Sequence, residues 1–83
     1  MEIVSYNNYN FDGKIIDVQD EVSFNEEHLP GSINIPYDKL MFNYKKYLNK
    51  MEKYYIYCKK GRKSKKAVEI LKYYGYDVKQ ITK

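Results

Sequence analysis

Two short apolar runs, KIIDV at 14–18 and KYYIY at 53–57, are each followed by a segment with a different apolar period, and that alternation leaves few ways to fold. Between 37 and 51 the apolar residues Leu40, Met41, Tyr44, Tyr47, Leu48 and Met51 recur every three or four positions, which predicts one or two short helices. From 64 to 74 the residues Ala67, Val68, Ile70, Leu71 and Tyr74 predict a helix with one apolar face, stopped by Gly75. A short helix over 20–27 is expected after the first run, capped by Asp20, with Val22 or Phe24 turned inward. His28-Leu29-Pro30-Gly31 reads as a turn, and strands are expected at 3–6, 32–36 and 77–82. Strands interleaved with helices imply an α/β architecture, a central mostly parallel sheet flanked by helices, with ligands at the carboxyl ends of the strands. Eighty-three residues supply one core, so residues 1–83 are expected to form a single minimal domain.

Charge is unevenly distributed along this order. Up to residue 42 there are two cations against eight acids, a balance of −6, and from residue 43 there are thirteen cations against three acids, a balance of +10. Six cations (Lys59, Lys60, Arg62, Lys63, Lys65, Lys66) fall within eight residues, where they would draw an anion. The plain alternative is compositional bias, since 14 of the 15 cations are Lys. No apolar stretch is long enough to span a membrane and the first ten residues lack the pattern of a secretory signal, so a cytoplasmic protein is expected. The single Cys forms no internal disulfide, and with one His it offers no metal site; no cofactor is expected.

That Cys is the most informative residue. Cys58 stands where strand becomes loop becomes helix, in YIYCKKGRKSKKAVEIL. Helix N-terminal N–H groups, the helix dipole and the surrounding cations all favour its thiolate. Gly61 permits positive φ, so that successive N–H groups of the loop can turn inward as an anion nest. The structural alternative is that Cys58 is one more small apolar residue finishing a buried strand. The cationic loop and Gly61 favour a reactive thiol. A hydrolase built on Cys58 would need His28 as base, brought near by the fold. A phosphatase loop would need Arg at the position held by Ser64.

Taken together, IIDV, then HLPGSINIP, then YYIYCKKGRKSKKAVEILKYYGYDV resemble, in order and spacing, the single-domain rhodaneses, a family of sulfurtransferases. The resemblance covers nearly the whole chain. It implies that Cys58 attacks the outer sulfur of thiosulfate or a related persulfide or polysulfide donor and carries it as a persulfide to cyanide or a thiol. It also implies that the loop of Lys59, Lys60, Gly61, Arg62, Lys63 and Ser64 holds the donor and the negative sulfur. Asp17 matches the family's Asp and is expected to anchor nearby backbone, and His28 is expected to stabilise its turn.

Several positions depart from the family pattern. The Arg five residues after the Cys is Lys63, which keeps the charge but loses the bidentate fork. The Arg after Asp-Val is Gln19 and its acidic partner is Ser23, so an ion pair is absent at both ends and stability should be little affected. The Gly before His28 is Glu27, and the family's Gly-Gly and closing helix are not found before Lys83, which implies a more open rim.

Two functions follow: a thiosulfate-type sulfurtransferase, or a sulfur carrier or anion- or protein-binding module of the same fold with poor turnover. A thioredoxin-like or other sulfur-acceptor protein is a possible partner for either. RNA binding through Tyr54, Tyr55, Tyr57, Tyr73 and Tyr76 is disfavoured, because most of these Tyr fall at positions expected to pack; no nucleic acid or membrane partner is expected.

Overall fold

The computed structural model describes residues 3–83. Five strands form one all-parallel sheet: β1 (Ile3–Ser5), β2 (Lys14–Asp17), β3 (Ile33–Asn34), β4 (Lys53–Tyr57) and β5 (Asp77–Thr82), in the order β1-β5-β4-β2-β3. A 3-10 turn at Tyr6–Asn8 follows β1, and four α-helices occupy the other connections: α1 (Glu21–Glu26), α2 (Tyr37–Phe42), α3 (Tyr44–Tyr47) and α4 (Arg62–Tyr73). Ile16 pairs with Ile56 and Ile33, and Ile56 with Gln80, so β4 lies at the centre of the sheet.

The central position explains the unbroken apolar run KYYIY. A parallel strand covered on both faces has no solvent side and does not alternate. Tyr54, Tyr55, Ile56 and Tyr57 are all buried. On one face Ile16, Val18, Tyr54, Ile56, Cys58 and Val78 pack against Leu40, Leu48, Ala67, Val68 and Leu71 of the helical layer. On the other, Tyr55, Tyr57 and Ile81 meet Leu29 and the rings of Tyr6, Tyr9 and Phe11. Buried phenols need hydrogen-bond partners. Tyr54 Oη accepts from Asn49 N–H at 2.7 Å, and Tyr55 Oη donates to the Asp12 carboxylate, which Lys53 Nζ also meets at 2.9 Å. Gly13 has no room for a side chain there, because a Cβ would lie 2.3 Å from the Lys53 carbonyl oxygen.

Three expectations are adjusted. The strand expected over 32–36 keeps only Ile33–Asn34 in the ladder; Ile35 N–H and Tyr37 N–H still bond the Asp17 and Val18 carbonyls, each at 3.0 Å, while Pro36 begins the turn into α2. Helix α1 forms with Asp20 as its cap, yet buries nothing fully: Val22 is 69% exposed, and Phe24 is half-buried with its ring stacked on His28. The last helix begins at Arg62, two residues earlier than its apolar period indicates, because Gly61 lets the chain turn directly into it. Gly75 takes φ 95° after α4, as a helix stop should. No described helix is long and apolar enough to cross a membrane.

Candidate active site

The chain leaves β2 toward the β3 edge and leaves β4 toward the β5 side. The crevice between the carboxyl ends of these adjacent strands is therefore a topological switch point, where two connections diverge and leave space for a ligand. A cavity of about 360 Å³ opens there. Gln19, Asp20 and Ser23 line it from the β2–α1 corner, and Cys58, Lys59, Lys60, Arg62 and Lys63 line it from the β4–α4 corner. A wider, shallower depression of about 670 Å³ lies at the amino-terminal ends of the strands, among Lys14, Lys45, Lys46 and Lys50. Cys58 does not line it, so the smaller cavity is the candidate site.

Cys58 finishes β4 and is 7% exposed. Its Sγ accepts the Ser64 N–H at 3.1 Å, and the Ser64 hydroxyl lies 3.3 Å from the sulfur in hydrogen-bonding geometry. Ser64 is the third residue of α4, so a free N–H of the first helical turn, which carries part of the positive end of the dipole, is aimed at the sulfur. Gly61 immediately before the helix has φ 79° and ψ −4°, a left-handed conformation that an L side chain resists. That conformation folds the loop back so that Ser64 reaches Cys58. Gly61 N–H returns to the Cys58 carbonyl at 3.3 Å, and Lys65 N–H to the Gly61 carbonyl at 3.2 Å. Among the described residues no protein acceptor meets the N–H groups of Lys59, Lys60, Arg62 or Lys63. They are available to an anion, together with four exposed cationic side chains opposed in the cavity only by Asp20.

The supporting residues are placed as follows. Asp17, fully buried, accepts from Gln19 N–H at 2.8 Å and from Gln19 Nε2 at 2.9 Å. Gln19 Nε2 also reaches the Glu27 carbonyl at 3.3 Å, and Asn34 Nδ2 bonds the carbonyls of Asp17 and Gln19. Gln19 and Ser23, the two positions without the ion pair, both line the cavity, and Gln19 bonds the Asp17 carboxylate and the Glu27 carbonyl in its place. Asp20 caps α1 by accepting Ser23 N–H at 2.8 Å; that bond, with Lys63 nearby, holds its carboxyl below the usual range. Glu27 has φ −160°, extended backbone that needs no glycine. His28 does not line the cavity; its Nδ1 is 2.7 Å from the Phe24 carbonyl, at the end of α1. Tyr54, Tyr55, Tyr57 and Tyr76 are buried, which leaves Tyr73 alone of that group freely exposed.

One residue of the site escapes a reading of the sequence. Gln80, on β5 and 4% exposed, donates from Nε2 to both the Gly61 carbonyl and the Ser64 hydroxyl, each at 2.9 Å. Its position two residues after Val78 in the final strand DVKQIT, on the face that Val78 buries, is the signal that could have found it.

A family model for the rhodanese-like domain matches residues 5–82. A crystal structure from Staphylococcus saprophyticus is similar at 26% identity and TM-score 0.84, over 98% of this chain and 86% of that one. A rhodanese-like domain protein from Staphylococcus aureus is similar at 27% identity and TM-score 0.78, over 94% and 81%. An NAD-dependent persulfide reductase from A. fulgidus is similar at 25% identity and TM-score 0.75, over 96% of this chain but 14% of that one. Among curated proteins no relative matches.

Proposed function

The chain belongs to the rhodanese-like domain family, and from that premise we propose that it is a thiosulfate-type sulfurtransferase with Cys58 as nucleophile. The observation that carries this reading is the Ser64 N–H on the Cys58 sulfur, at the wall of a cavity ringed by four cations. A hydrogen bond to sulfur from a helix N-terminus stabilises the thiolate, and the cations bring a small dianion to it.

The sequence of bonds is short. Thiosulfate enters with its sulfonate oxygens among Lys59, Lys60, Arg62 and Lys63. The Cys58 thiolate attacks the outer sulfur, forming an S–S bond as the S–S bond of the donor breaks and sulfite leaves with the electron pair. The product is a Cys58 persulfide anion, whose terminal sulfur would be met by the unpaired N–H groups of residues 59, 60, 62 and 63. Cyanide attacks that sulfur to give thiocyanate and regenerates the thiolate; a thiol acceptor takes it as its own persulfide. No general base is needed when the thiolate is already formed, which agrees with the absence of His28 from the cavity wall.

A second reading, a sulfur carrier with slow turnover, is supported by Lys63, which gives the donor a point charge in place of a planar fork. The similar unit in a persulfide reductase supports a role beside a redox partner. Thiocyanate formation from thiosulfate and cyanide separates the two. Multiple turnovers by the native protein and none by Cys58→Ala support the enzyme; a single turnover supports the carrier; no thiocyanate at all contradicts both.

A further inference from the structure

We infer that Gln80 is a positioning residue that turns the Ser64 hydroxyl toward the Cys58 sulfur; this rests on the reading of Cys58 as a thiolate nucleophile. The argument counts donors and lone pairs. Ser64 Oγ carries one proton and has two acceptors at the same distance, the Gly61 carbonyl and Cys58 Sγ, each 3.3 Å away. At 3.3 Å the larger sulfur is in ordinary hydrogen-bonding range while the carbonyl is a long acceptor, so the carbonyl is the weaker competitor, and it weakens further when other donors fill it. Gln80 Nε2 has two N–H groups, and both are used here, one on the Gly61 carbonyl and one on Ser64 Oγ, at 2.9 Å. The first meets the need of the carbonyl, which also takes Lys65 N–H at 3.2 Å. The second occupies one lone pair of Ser64 Oγ and directs the remaining proton away from Gln80.

What remains for that proton is the sulfur. With Cys58 as a thiol, its S–H donates to the free lone pair of Ser64 Oγ. On ionisation that donor is lost, and the hydroxyl rotates to donate to the thiolate, joining the Ser64 N–H already there. Two donors from one residue then face the charge. Gln80 is buried on the strand next to β4, so its amide is fixed by the sheet and not by solvent. The same arrangement leaves the cavity side of the sulfur open, because Gln80 acts from behind the loop and is not among the residues lining the cavity.

The test is the alkylation rate of Cys58 by iodoacetamide, which reads the thiolate without any sulfur donor. At pH 7, Ser64→Ala is expected to react about fivefold more slowly than the native protein, because losing a hydrogen bond to the ionised group cuts the thiolate fraction by about tenfold or more while the thiolate that remains is the stronger nucleophile. Gln80→Met, close in volume and without a donor, is expected to react about threefold more slowly, since the hydroxyl returns to the Gly61 carbonyl. The double variant should match Ser64→Ala, because Gln80 has nothing left to orient. At strongly alkaline pH, where every variant is thiolate, neither defect should remain, and the variants should react at least as fast as the native protein, because a thiolate without the hydrogen bond is the stronger nucleophile. Multiplied effects in the double variant, or a Gln80→Met defect that persists at alkaline pH, would overturn the inference and leave Gln80 a packing residue. Gln80→Leu is the replacement if Gln80→Met does not fold, as judged by circular dichroism. A native protein that alkylates as expected but takes no sulfur from thiosulfate would contradict the proposed function and leave this inference standing.

Discussion

The two corners that face each other across the cavity solve the same local problem in opposite ways. Each follows a parallel strand and begins a helix, and each has backbone N–H groups without helical partners. At the β2–α1 corner the chain supplies its own acceptors: Asp17 takes the Gln19 N–H and Asp20 takes the Ser23 N–H. At the β4–α4 corner there is no side-chain cap; Gly61 makes the turn, the Cys58 sulfur takes the Ser64 N–H, and the amides of residues 59, 60, 62 and 63 stay free beside four cations. The first corner is closed by carboxylates and the second is left to be closed by an anion. The same strand-to-helix connection, made through an extended Asp20 in one corner and a left-handed Gly61 in the other, therefore becomes either a structural cap or a candidate binding site.

The contrast can be broken at several points. The largest effect is expected from Cys58→Ser, which keeps an acceptor for the Ser64 N–H but removes the nucleophile: sulfur loading should vanish while the melting temperature barely moves. Gly61→Ala comes next. A Cβ at φ 79° costs about 1–2 kcal/mol and would lie 3.4 Å from Gln80 Nε2, so the loop should lose both stability and at least about tenfold in loading rate, the scale of one misplaced contact near a nucleophile. Removing one cation, by Lys60→Ala or Lys63→Ala, should weaken apparent thiosulfate affinity about three- to tenfold and flatten its dependence on ionic strength, with little change in stability. Asp20→Ala should do the reverse, lowering the melting temperature modestly and leaving the loading rate within about twofold, since the cap is an element of structure.

The smallest effects come from pH and concern groups that do not line the cavity. Hydrogen bonds from Tyr55 and Lys53 hold the Asp12 carboxyl down at about 2, against an ordinary 3.8. A depressed carboxyl contributes stability above its unfolded value that is lost as pH falls toward the folded one, so thermal stability should decline between about pH 4 and 2, and Asp12→Asn should remove that part of the decline. At the alkaline end, burial raises the phenols of Tyr55, Tyr57 and Tyr37 above the ordinary 10. Stability linked to a raised group is present below its unfolded value and lost as pH climbs through the folded one, so unfolding should grow easier above about pH 10.

The strand–loop–helix that carries Cys58 was legible because each of its features is local. A β-branched and aromatic run, a Gly, a cluster of cations and a 3–4 period all lie within some twenty residues, and the fold changed only where the helix begins. The sequence order also placed Asp17, whose buried carboxylate does bond the backbone of Gln19. Less legible was α1, whose apolar Val22 stays exposed because a six-residue helix at the sheet edge has no layer to press against. Gln80 was the least legible of the site residues. It is 22 positions from Cys58, and only the parallel pairing of β4 with β5 carries its amide beneath Gly61 and Ser64. Spacing along a chain reports contacts within a turn or a loop, while contacts between strands wait on topology.

The measurement that tests the central claim most directly is the intact mass of the protein after incubation with thiosulfate, with Cys58→Ala alongside and cyanide added afterward. The account predicts the gain of one sulfur atom on the native chain, no gain on the variant, and return to the starting mass on addition of cyanide. An unchanged native mass with both thiosulfate and polysulfide would contradict it, and the open corner of the fold would then be an anion site without sulfur chemistry.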